Sequence, residues 1–166
     1  MRTATLLALT VTLACRTPQP VGPLTGAYAI VFDASFSTAI RMGTTAFPAG
    51  DVESAIRELF TERDGAFQWF HENPKDPGLF DAVIVLHIMP MNGPGSSIVE
   101  NRDTTGLVPE ETLANMGYEI RRTDGRKSFG SVGIHAPSLT NGQYEPRRLL
   151  ETASDLYAIL NRELQK

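Results

Sequence analysis

The chain has 166 residues, 42% of them hydrophobic and 20% charged, with a formal net charge of −4 at pH 7. That balance is typical of a globular protein and gives no basic footprint for nucleic acid, which needs Lys and Arg clustered on one face. A lone cysteine, Cys15, excludes an internal disulfide framework.

At the amino terminus Arg2 precedes an apolar run from Leu6 to Leu13, closed by Ala14 and Cys15. The run is too short to span a bilayer, which takes about 20 apolar residues, and has the layout of an export signal. Thr12-Leu13-Ala14-Cys15 resembles the lipobox of bacterial lipoproteins, with Thr12 and Leu13 where that family usually has Leu and a small residue. The resemblance implies that residues 1–14 are a signal peptide and that the Cys15 thiol receives a diacylglyceryl group. Two acyl chains hold a protein stably on a membrane where one is marginal. In the same family, Arg16 in place of Asp after the cysteine implies the outer membrane, with the protein facing the periplasm.

Residues 15–26 read as the lipidated cysteine and a tether, because Pro18, Pro20 and Pro23 with Gly22 and Gly26 favour extended backbone over packing. The remaining segment, 27–166, has the length of one domain with a real core. Its first strand is expected over Ala27 to Asp33, with continuation through Ser37 to Ile40.

Val52, Ala55, Ile56, Leu59 and Phe60 recur at helical spacing, so a first helix is expected with Asp51 as N-cap and Gly65 as stop. The aromatic group Phe67-Gln68-Trp69-Phe70-His71 then caps the core or extends the helix, before Asn73-Pro74 and Asp76-Pro77-Gly78 force a turn. Asp81 to Met89 is the strongest strand; its unbroken apolar run predicts a central position with both faces covered, and His87 within it reads as a hydrogen-bonded core histidine. A Gly- and Pro-rich loop spans roughly Pro90 to Gly106, longer than connections usually are.

Tyr118 to Thr123 and Lys127 to His135 flank Asp124-Gly125, the strong short-range signal of a β-hairpin. Arg121, Arg122, Arg126 and Lys127 fall around that turn and read as its solvated face. From Pro146 to Leu164, Leu149, Leu150, Ala153, Leu156, Tyr157 and Leu160 make the buried stripe of a long helix. The order β-α-β-β-β-α predicts an α/β (α+β) fold, a mixed sheet of about four strands packed by two main helices.

Chemistry is sparse. Asp33-Ala34-Ser35-Phe36-Ser37 after a strand resembles the Asp-x-Ser-x-Ser ion-adhesion motif of von Willebrand factor A domains. The resemblance implies magnesium held by Asp33, Ser35 and Ser37, hard oxygen ligands suited to that ion. By alternation alone, the same residues are the polar positions of a strand. His71, His87 and His135 lack zinc-ligand spacing. Gly93 to Ser97 and Gly130 to Gly133 set serine beside glycine without a nucleophile-elbow or phosphate-loop pattern. Glu100, Asp103, Glu110 and Glu111 line the long loop as an acidic rim.

Two expectations follow. The favoured one is a non-enzymatic lipoprotein domain, membrane-bound through its lipid anchor, that accompanies an envelope protein partner and binds no nucleic acid or cofactor. The alternative is a tethered metal-dependent adhesion domain or hydrolase using magnesium at Asp33, Ser35 and Ser37, or the neighbourhood of His87.

Overall fold

The computed structural model describes residues 24–42, 45–63, 66–90, 112–135, 138–140, 143–145 and 147–166. The signal segment with Cys15, most of the tether, Gly65, Pro146, most of the Gly- and Pro-rich loop and its four carboxylates lie outside these residues.

Strand β1 (Tyr28–Phe32) is buried along its whole length, as its apolar sequence requires. It does not continue to Ile40. Asp33 caps a single 3-10 turn, Ala34–Ser37, and the chain then makes a separate antiparallel ribbon of β2 (Ala39–Met42) and β3 (Thr45–Pro48). Ile40 and Phe47 on this ribbon are buried in the core.

Helix α1 (Ala49–Arg63) starts two residues before Asp51. The reason is local: Ala49 is fully buried and gives its N–H to the Thr38 carbonyl at 3.0 Å, so the helix is anchored at that point. Asp51 sits instead in the first turn, where its charge favours the helix dipole. The aromatic group forms a strand, β4 (Phe67–Phe70), paired parallel to β1. Phe67 and Trp69 face the core, and Phe60 packs on both, with centroids at 5.1 and 6.1 Å.

Strand β5 (Ala82–Pro90) pairs parallel to the other side of β1. It is followed by antiparallel β6 (Thr112–Arg122) and β7 (Lys127–His135), giving one mixed sheet in the order β4-β1-β5-β6-β7. The expected α/β fold is therefore present with β5 at the centre and β4 added as a fifth strand. A second small ribbon, β8 (Ser138–Thr140) with β9 (Gln143–Glu145), leads into α2 (Arg147–Leu164).

The β6–β7 turn is of the three-residue kind: Gly125 N–H reaches the Arg122 carbonyl at 3.0 Å, and Gly125 takes φ 83°, a conformation that glycine adopts without strain.

The two long helices pack on each other and on the same sheet face, with Tyr157 edge-on to Phe60 at 5.1 Å. Ile30, Ile84, Leu86 and Ile120 lie beneath them with no exposed surface. Thr152 and Asn161 are buried on α2 as well, and the Thr152 hydroxyl accepts the His135 N–H at 2.8 Å.

Among the described residues the opposite face is covered in part. The connection from β4 to β5 reverses direction across β1, which puts a right-handed crossover on the side away from the helices. It carries Phe80 onto Ala29, Val31 and Val83, forming a second, smaller core. Farther along β5, Val85 packs against this second core but is only half-buried, as is His87, so among the described residues the expected two-sided cover is complete only at the start of the strand. No helix among the described residues is long and apolar enough to cross a membrane.

The asymmetry is measurable in urea. Leu86→Ala is expected to lower unfolding free energy by about 3 kcal/mol through lost burial and an unfilled cavity. Val85→Ala, on the other face of the same strand, should cost about 1 kcal/mol, since less surface leaves water.

Candidate functional site

At the carboxyl end of β1, Asp33 and Ser35 come together. The Asp33 carboxylate accepts the Ser35 N–H at 2.8 Å and also the Ser35 hydroxyl. That hydroxyl oxygen in turn accepts the Ile88 N–H at 2.7 Å, tying the turn to the end of β5. Phe36, between the two serines, is buried edge-on to Phe32 at 4.9 Å and pins the turn to the core. Ser37 is exposed at the far side of the turn and takes no part in this bonding. Among the described residues no three His, Cys, Asp or Glu side chains form a metal-holding group.

Beside this turn, at the ends of β1 and β4, sits a cluster that no motif announces. Arg57 pairs with Glu53 one helical turn earlier at 2.7 Å, and its guanidinium lies 5.1 Å from the Phe32 ring and 5.2 Å from Trp69. His71 Nε2 approaches Glu53 at 3.4 Å. The Glu53 and Arg57 spacing of four was legible in sequence; the aromatic platform was not, because it needs β4 beside β1.

The outer sheet face holds the third group. His87 is half-buried there and lies flat against Gly117, its directly opposed neighbour on β6; a methyl group at Gly117 would overlap the imidazole. The apolar run suggested a bonded core histidine; the ring is half-buried, and its neighbour across the strand pair is Gly117. The next row holds Val85, Glu119 and Phe129, the last 68% exposed. Glu119 accepts Arg121 at 2.6 Å and Lys127 at 3.2 Å. The Arg121 hydrogen bond above all, with Lys127 and both positive charges adding, lowers its carboxyl pKa to about 2.

Next to it opens a cleft of about 590 Å³ between the β4–β5 crossover and the hairpin. Pro74, Pro77 and Val83 wall it, and Asn73, Arg121 and Thr123 supply polar groups. Arg121 Nε is buried without a hydrogen-bond partner among the described residues, although its terminal nitrogens reach Glu119 and, at 3.4 Å, Asn73. Apolar walls with a few polar groups suit a small ligand or an inserted side chain.

The four basic residues of the hairpin are all engaged within the chain. Arg126 pairs with Asp124 at 2.6 Å, while Arg122 turns to the helix side and donates to the Glu163 carbonyl at 2.6 Å. The three histidines stay apart in separate surroundings, His135 bonding Asp155 at 3.0 Å. No protein-family model matches the chain, and no curated protein matches its sequence.

Two outcomes test this geometry. Ser35→Ala leaves the Ile88 N–H without its acceptor and should cost about 1–3 kcal/mol in urea unfolding. For Glu119 the sign follows from a folded pKa below the unfolded one: its contribution is present above about pH 5 and fades as pH falls toward 2. Its partners are exposed and screened, so Glu119→Gln should cost only about 1 kcal/mol at pH 7, with variant and wild-type stabilities converging near pH 2.

Proposed function

We propose that the chain is a lipid-anchored, non-enzymatic binding or assembly domain of the bacterial cell envelope, presented from the outer membrane toward the periplasm. The observation that carries the reading is the uneven cover of the sheet among the described residues. Helices seal one face, while the other exposes Phe129 and a half-open cleft beside a charged row, the mixture of aromatic anchor and polar rim that binding surfaces use. The amino-terminal segment supports the location: Cys15 follows a short apolar run and precedes a proline-rich spacer.

A second reading keeps the tether and makes the domain a magnesium-dependent adhesion module or hydrolase at Asp33, Ser35 and Ser37. In its favour, Asp33 and Ser35 are neighbours at the carboxyl ends of parallel strands, where open α/β sheets place ligands. Against it, the Ser35 oxygen is already used by the Ile88 N–H.

Cys15→Ser should release the protein from the membrane fraction or leave it unprocessed, and the mature wild-type mass should exceed that of the peptide by a diacylglyceryl group. Membrane retention unchanged by the substitution contradicts the anchor. Millimolar magnesium discriminates the two readings: the binding domain keeps its thermal midpoint, whereas a metal module shows a rise that Asp33→Ala abolishes.

A further inference from the structure

Among the described residues the β7 edge of the sheet is unpaired, and the phase of its hydrogen bonds can be read. Arg122 donates its N–H to the Arg126 carbonyl at 3.0 Å, while the Thr123 N–H points the other way, to Asp81 at 3.3 Å. Even-numbered residues of β6 and β7 therefore bond each other. On β7 the odd-numbered ones, Phe129, Ser131 and Gly133, direct N–H and C=O away from the sheet. Among the described residues nothing bonds those outward groups. At the next odd position α2 closes the edge, because the His135 N–H is taken by Thr152. Between Lys127 and His135 the strand has no charged residue and no proline, the usual devices that keep an edge from pairing.

The side chains indicate what pairs there. Twice within the sheet a ring lies on the glycine directly opposite it, His87 on Gly117 and Tyr118 on Gly130. Phe129 lacks such a seat and is exposed. A second β7, antiparallel and related by a two-fold axis through Ser131, brings Gly133 of the second copy opposite Phe129, and the reverse. It is the one register that sets Phe129 opposite a β7 glycine with the outward backbone groups in phase. The same register sets Lys127 opposite His135 of the second copy, whose imidazole bonds the exposed carboxylate of Asp155.

We propose that two copies of this chain join through β7 in that register, making one continuous ten-stranded sheet with about six new backbone hydrogen bonds. The inference goes beyond the proposed function and does not depend on the lipid anchor.

Cysteine coupling in the full chain tests it. Opposed residues of a hydrogen-bonded antiparallel pair have Cα atoms about 5.5 Å apart, within disulfide reach. Ser131→Cys should therefore give a disulfide-linked homodimer as the main product of mild oxidation. Phe129→Cys, displaced by about 13 Å from its equivalent, should stay at the wild-type background set by Cys15. Failure of Ser131→Cys to couple, equal coupling by Phe129→Cys, or coupling to a different protein overturns the proposal. Ser131→Pro removes an outward N–H that the chain's own sheet does not use, so the fold should persist. In sedimentation at tens of micromolar the wild type should run at twice the chain mass and the proline variant at one. A monomeric wild type refutes the dimer.

Discussion

Both long helices press on the same face of one sheet, and that contact decides what every strand does with its remaining side chains. Ile30, Ile84, Leu86 and Ile120 are removed from water by Ile56, Phe60, Leu156 and Leu160, so residues one position away must point to the other side. There the cover among the described residues is an eleven-residue crossover, from His71 to Asp81, which reaches β1 and the start of β5. Beyond its reach the face has to satisfy itself by cross-strand pairs, a ring on a glycine in one row and a carboxylate between two cations in the next.

Much of this architecture could be read from spacing. The 3.6-residue stripe of α2, the alternating arms around Asp124-Gly125 and the apolar run of β5 each leave a periodic signal strong enough to survive without tertiary information. Strand β4 was hidden because four aromatic-rich residues after a helix suit either a cap or an extension, and only pairing with β1 makes them a strand. The break between β1 and β2 was hidden for a related reason. Asp33 and Ser35 alternate like strand residues, yet their side chains compete for the backbone and turn it. Two-sided cover of β5 is met at its start, where Val83 lies in the second core, while Val85 and His87 beyond it are half-buried: an apolar run reports proximity to a core, not its extent.

The site was less legible than the fold, since its members meet through register. Glu119, Arg121 and Lys127 are unremarkable along the chain, and only the hairpin pairing puts Lys127 opposite Arg121 with Glu119 between them. Arg57 gains its aromatic platform in the same way, from two strands and a helix that are distant in sequence. Asp33 and Ser35 were identified from sequence as oxygen donors. The structure joins those two oxygens by a hydrogen bond and leaves Ser37 outside.

The three-residue turn at Gly125 has a directional consequence. Its base, Arg122, stands in register with Ala82, which is in register with Tyr28, and Arg122 also holds the last turn of α2 through Glu163. The point where the chain enters the sheet, the hairpin turn and the carboxyl end of α2 therefore share one pole of the domain. The Asp33 turn and the far end of β5 occupy the other. Ala27, just before Tyr28, is bonded to Asp81 through both its N–H and its carbonyl, so the entry of β1 is clamped to the foot of β5 at the hairpin's pole, and the carboxyl ends of the parallel strands form the pole farthest from that clamp.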